Sequence, residues 1–142
     1  MKIVTVAKAE PWILESLNAL LAQLSGSAPL LSIIELEKIV ASDCATLLAA
    51  LEEDLIVGIL TLVIFRIPTG MRARIEDVVV DASARGKTIG ERLVRQAIEL
   101  ARHRGAHGVD LTCNPERTAA NRLYRKIGFV ARKTNTYRYV IQ

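Results

Sequence analysis

Residues Val78–Val94 read VVVDASARGKTIGERLV: a β-branched run, a small polar loop containing glycine, then an amphipathic helix pattern. No other stretch constrains the fold as strongly, because a strand running through a tight loop into a helix calls for a sheet with a helix laid against it. The unit also has chemical content. The first backbone N–H groups of a helix lack acceptors, and the helix dipole adds partial positive charge there. Arg85 and Lys87 bring full charges to the same place. The unit predicts a ligand bearing phosphate or pyrophosphate.

Two known loops compete for this stretch. Gly86-Lys87-Thr88 matches the end of the P-loop pattern GxxxxGK[ST], but its first glycine falls on Asp81, and an acid there faces phosphate with the wrong sign. Arg85-Gly86-Lys87-Thr88-Ile89-Gly90 instead resembles the [QR]xxGx[GA] pyrophosphate loop of the GCN5-related N-acetyltransferases (GNAT family). The resemblance implies that Arg85, Gly86, Lys87, Thr88, Ile89 and Gly90 hold acetyl-coenzyme A. Thr88 stands where the pattern usually has glycine, so a side chain occupies a point of close backbone approach. Its hydroxyl either crowds the pyrophosphate or donates to it.

Asn114–Phe129, NPERTAANRLYRKIGF, carries a second resemblance to the same family, the pattern N-x-x-A-x-x-x-Y-x-x-x-G-F. The matching residues are Asn121, Tyr124, Gly128 and Phe129, preceded by Ala119 and Ala120. The resemblance implies that Asn121 contacts the pantetheine arm and that Tyr124 protonates the departing thiolate. Spacing alone puts Asn121 and Tyr124 on one helix face, with Leu123, Ile127, Ala119 and Ala120 on the buried side. Read without the motif, Tyr124 is a half-buried aromatic with a wet tip.

An amine is protonated at neutral pH and must lose a proton before it attacks a thioester. Glu76, in the strand leading into the loop, is the candidate acceptor of that proton; the alternative is an ion pair with Arg72 or Arg74. Strand alternation places Glu76 and Asp77 on opposite faces. The resemblance further implies that the segment Val78, Val79 and Val80 binds the cofactor, with the backbone of Val78 and Val80 bonded to the pantetheine amides. It also implies that backbone N–H groups there, that of Val78 among them, stabilise the oxyanion.

At 142 residues, 51% hydrophobic and 24% charged, the chain reads as a single globular domain, 1–142. The element order reads βααββ, then βαβαββ. It begins with a strand Lys2–Ala7 and a helix opened by Glu10-Pro11, with Trp12, Leu14, Leu17, Leu20, Leu21 and Leu24 on its apolar face. A helix over Leu30–Ala41 and strands Thr46–Leu51, Leu55–Ile67 and Met71–Val80 follow. Then come a helix Ile89–Arg104, a short strand Val109–Cys113, a helix Arg117–Ile127 ended by Gly128, and a closing hairpin of Phe129–Arg132 with Thr136–Ile141. This is an α/β layer protein with an antiparallel start and a parallel centre. The resemblance implies a GNAT-type mixed sheet of six to seven strands flanked by about four helices.

The net charge of +4 is scattered rather than clustered, which suits a polyanionic cofactor and gives no nucleic-acid face. Cys44 and Cys113 lack metal-ligand spacing and read as buried reduced thiols, and no metal is expected. His103 and His107 read as helix-end residues. No signal segment or membrane span is evident, so a cytoplasmic location and no membrane partner are expected. The function implied is direct acetyl transfer from acetyl-coenzyme A to a primary amine in a ternary complex. The alternative is a coenzyme A-binding sensor or interaction module without chemistry. The acceptor, a small-molecule or protein amine, is left open by the mixed charges Glu35, Glu37, Lys38, Arg132, Lys133 and Arg138, as is a homodimer.

Overall fold

The computed structural model describes residues 1–142. They form two compact units, Met1–Thr112 and Cys113–Gln142.

The first unit is one five-stranded sheet in the order β1-β2-β3-β4-β5. Its strands are β1 (Lys2–Thr5), β2 (Ala45–Glu52), β3 (Leu55–Ile67), β4 (Gly70–Val80) and β5 (Val109–Asp110). The first four pair antiparallel; β5 pairs parallel to β4 through Ala73↔Val109 and Arg74↔Asp110. The parallel pair thus lies at the edge of the sheet and not at its centre.

Helices α1 (Pro11–Leu24) and α2 (Ile33–Ala41) cover one face. Ile13, Leu17, Leu20 and Leu36 pack there with Leu47, Ala49, Ile59 and Val79. Burying each such leucine or isoleucine contributes about 1.5–3 kcal/mol, and the period-2 alternation of β2 and β3 delivers them to that face. Trp12 departs from the expected apolar stripe: it is 44% exposed, and its indole N–H donates to Glu10 at 2.9 Å. Ser32 caps α2, its Oγ accepting from Glu35 N at 3.1 Å. The residues of opposite parity, among them Leu48, Leu60 and Leu62, are fully buried. On their side lies α3 (Ile89–His103), which buries Ile89, Leu93, Val94, Ala97 and Ala101. Gly58 makes the close approach of α3 to β3 possible: a Cβ there would lie 3.1 Å from Ile89 Cγ2 and 3.2 Å from Leu93 Cδ1.

The second unit contains α4 (Thr118–Ile127), ended by Gly128 at φ 124°. Gly128 N and Phe129 N both donate to Tyr124 O, at 3.1 and 2.9 Å, which satisfies a carbonyl of the last turn. Tyr124 is the buried residue of α4; Leu123 and Ile127 are half-buried, and Ala119, expected on the buried side, is exposed. The expected closing hairpin does not form. Residues 129–142 belong to no helix or strand, and Val130, Tyr137, Tyr139 and Ile141 are exposed. The sheet therefore has five strands, not six to seven. Lys133-Thr134-Asn135 has no glycine to adopt a tight hairpin turn, and a two-stranded hairpin with no further strand to join is marginal in water.

Cys44 is exposed and Cys113 half-buried, both free, so neither is the fully buried thiol expected. No helix is long and apolar enough to cross a membrane.

Candidate functional site

The first unit gathers Glu76, Val78–Val80 and Arg85–Gly90 at the end of β4 and the start of α3. The pairing of β4 with β3 is interrupted: Thr61 faces Glu76 and Ile59 faces Val79, so Asp77 and Val78 together oppose Leu60. This is a β-bulge with Asp77 at φ 51°. It has two consequences. It resets the alternation, so Glu76 and Asp77 are both exposed and do not divide between the two faces. It also shifts the pairing register at Asp77 and Val78, two residues that together face one residue of β3. Ala73, Ile75 and Val79 are buried, and Asp77 shares their parity. A carboxylate in a core register was the one signal in the sequence for this bulge, and alternation alone passed over it.

Glu76 Oε1 accepts from Arg74 Nε at 3.1 Å, with both side chains partly exposed. The ion-pair alternative for Glu76 is therefore realised with Arg74 and not with Arg72, which donates to Thr69 Oγ1 at 2.8 Å. Such a surface pair contributes little stability and leaves the second carboxylate oxygen accessible. Along the sheet, Glu76, Arg74 and Arg72 pair with Thr61, Val63 and Phe65. Together they make a polar-over-apolar floor on the face that α1 and α2 cover elsewhere.

Beyond β4 the chain makes a 3-10 turn, Ala82–Ala84, and enters the loop. Arg85 Nε donates to Val80 O at 3.3 Å. Gly86 lies at φ 83° and Thr88 at φ 64°, ψ 13°, both left-handed. The first backbone bond of α3 is Arg92 N to Thr88 O at 3.0 Å, so the N–H groups of Gly86–Gly90 precede any helical acceptor. Successive N–H groups in such alternating backbone form a concavity for anions. Lys87 Nζ lies 3.4 Å from Glu52 Oε2. Ile89 and Val79 have their side chains in the core, at 2% and 4% exposure, so either can meet a ligand only through its backbone. Thr88 Oγ1 donates to Lys87 O at 2.5 Å, a local bond that holds the hydroxyl within the loop.

Sequence reasoning also missed Asp81 and its partners. Its carboxylate accepts from Gln23 Nε2 at 2.7 Å, from Ser83 N at 2.9 Å and from the Ser83 hydroxyl. These hydrogen bonds, Ser83's first, hold its pKa below the usual carboxylate value. Asp81 is thus a turn-building residue, consistent with the failure of the P-loop pattern at that position.

The second unit carries Asn121 and Tyr124. Asn121 Nδ2 donates to Asn114 O at 3.0 Å and to Arg117 O at 2.8 Å, tying the loop before α4 to its first turn. The amide oxygen is left as an acceptor. The Tyr124 ring meets Phe129 edge-on, with centroids 5.7 Å apart. Burial, reinforced by the neighbouring Cys113, pushes the phenol pKa above its ordinary value, against a smaller opposing effect of Arg117. Tyr124 therefore stays a proton donor throughout the neutral range.

Comparisons with known proteins bear on the family. Residues 14–129 match the model of the acetyltransferase (GNAT) family. Glucosamine 6-phosphate N-acetyltransferase 1 of Oryza sativa subsp. japonica is 51% identical over 61 residues, 43% of this chain and 35% of that protein. The matched part therefore spans about a third of the curated relative's length. An acetyltransferase of Trypanosoma brucei superposes with a TM-score of 0.80 at 27% identity, covering 98% of this chain and 99% of the other. AAC(6')-Iy, solved in complex with the bisubstrate analogue CoA-S-monomethyl-acetylneamine, superposes with a TM-score of 0.80 at 19% identity, covering 99% and 98%. With the family match running from α1 through the bulged strand, the loop Arg85–Gly90 and α4, the chain belongs to the acetyltransferase (GNAT) family.

Proposed function

We propose that this protein transfers an acetyl group from acetyl-coenzyme A to a primary amine on a small molecule, in a ternary complex and as one functional domain. The observation that carries the reading is the β-bulge at Asp77, which interrupts the pairing of β4 a few residues before a basic loop of left-handed residues. A thioester needs donors where its carbonyl oxygen becomes an oxyanion, and coenzyme A needs an anion cradle for its pyrophosphate.

In this reading Arg85, Lys87 and the N–H groups of Gly86–Gly90 bind the pyrophosphate. The backbone of Val78 and Val80 aligns the pantetheine, with the Asn121 amide as a further contact. Glu76 takes the proton from the acceptor ammonium, directly or through water, and the free amine attacks the thioester carbon. The N–C bond forms, the C–S bond breaks, and Tyr124 supplies a proton to the departing thiolate. Glu76, exposed beside Arg74, is accessible for its part, and the buried phenol of Tyr124 retains its proton for the other.

For the acceptor, the floor of Thr61, Val63 and Phe65 with Arg72, Arg74 and Glu76 favours an amine that also carries an anionic group. Glucosamine 6-phosphate, named for the rice relative, has that chemistry and is the first acceptor to assay. The test is thiol release from acetyl-coenzyme A across a panel of amines: amino-sugar phosphates, unphosphorylated amino sugars, aminoglycosides and amino acids. Turnover with a phosphorylated amino sugar and little with its unphosphorylated form supports the reading. Coenzyme A binding without turnover on any amine replaces it with a non-catalytic sensor.

A further inference from the structure

Gln23 stands in the last turn of α1, far in sequence from the loop that holds the anion site. Its side-chain amide nevertheless makes two bonds to the end of β4. Nε2 donates to Asp81 Oδ1 at 2.7 Å, and Oε1 accepts from Ala82 N at 3.0 Å. The pair is matched: a carboxylate acceptor and an adjacent backbone donor meet one planar group that offers a donor and an acceptor side by side. Asp81 then distributes the connection. Its other carboxylate oxygen takes Ser83 N at 2.9 Å, its carbonyl takes Ala84 N at 2.9 Å, and its own N–H donates to Val57 O at 2.8 Å. From there the chain passes directly to Arg85, whose Nε is bonded to Val80 O.

We propose that Gln23 is a positioning residue for coenzyme A: its two-point bond from α1 to Asp81 and Ala82 sets the path by which the chain leaves β4 and aims the loop Arg85–Gly90. The proposal rests on the reading of that loop as the pyrophosphate site. Two other connections hold the loop, the Lys87–Glu52 ion pair and the packing of Ile89, the first residue of α3, against β3 at Gly58. The first is exposed and screened, and the second fixes the helix rather than the turn before it. Gln23 adds the side-chain tie from α1 to the turn, beside the turn's own bonds through Asp81. A side chain on an acceptor-side helix thus sets the geometry of the cofactor loop.

The test is calorimetric titration of coenzyme A into the full chain, wild type and variants. Binding by wild type is the control; without it the pyrophosphate reading itself fails, separately from this proposal. Gln23→Leu keeps the bulk and removes both bonds, so the Kd for coenzyme A should rise roughly tenfold, the effect of losing two moderate hydrogen bonds. With an active acceptor in hand, the KM for acetyl-coenzyme A should rise while kcat changes little. A Kd within twofold of wild type overturns the proposal.

Should Gln23→Leu not fold, Gln23→Glu decides. The glutamate can still accept from Ala82 N–H but sets a second carboxylate against Asp81 in place of the amide donor. At pH 8 the Kd for coenzyme A should therefore rise at least as much as expected for Gln23→Leu. A Kd within twofold of wild type for this variant overturns the proposal.

Discussion

Thr88 offers the sharpest test of how the loop is built. It is a β-branched residue at φ 64°, ψ 13°, a conformation that costs an L-residue about 1–2 kcal/mol. Glycine relieves that strain but adds about 0.5–1 kcal/mol of unfolded-state entropy. The Thr88 hydroxyl bond to Lys87 O is exposed, so its loss costs roughly 0.5 kcal/mol. Comparing Thr88→Gly with Thr88→Ala cancels the hydroxyl, since both lack it. The alanine variant retains the strain and the glycine variant does not. Thr88→Gly should therefore be more stable than Thr88→Ala by about 0.5–1 kcal/mol, or about 2–4 °C in Tm for a chain of this size. Thermal unfolding followed by circular dichroism reads the difference. An alanine variant at least as stable as the glycine variant would refute the strain argument. The same two proteins, titrated with coenzyme A, test the ligand side. The hydroxyl is already committed to Lys87 O, so neither substitution should weaken binding. A loss of roughly 0.5–1.5 kcal/mol in both would show instead that the hydroxyl turns to the phosphate.

Arg85→Ala should raise the KM for acetyl-coenzyme A more than it lowers kcat, because a pyrophosphate contact is equal in ground and transition states; an unchanged KM removes the loop from the cofactor site. Tyr124→Phe should lower kcat by roughly ten- to a thousand-fold with little change in coenzyme A affinity, and a wild-type rate would return Tyr124 to a packing role. The same variant has a signature in stability. Because the folded pKa of Tyr124 is raised, its contribution is complete below the unfolded value of 10.0 and is lost as pH rises through the folded value, so wild type should lose stability above that point and the phenylalanine variant should lose less. Glu76→Gln should depress kcat/KM most at lower pH, where the amine is protonated, and the defect should shrink at high pH; a defect independent of pH would leave only the pair with Arg74.

Local chemistry made much of this protein legible in its sequence. The strand Leu55–Ile67, the helix start at Ile89 and the C-terminal glycine at Gly128 follow from β-branched runs, apolar spacing and the left-handed preference of glycine, all short-range effects. The two motifs likewise lie in single segments, and the family match across residues 14–129 agrees with what they implied. Tertiary structure decided what depends on distant partners. The bulge at Asp77 exists only against β3, because an extra residue has meaning only relative to the strand it faces. Gly58 is read as a strand glycine until α3 lies on it. The bond of Gln23 to Asp81 joins residues 58 positions apart, which no periodicity reports. The closing hairpin failed for the complementary reason. Alternating residues at Thr136–Ile141 have the composition of a strand, but a strand forms only when its backbone N–H and C=O groups find a partner, and that requirement is not written in the segment itself.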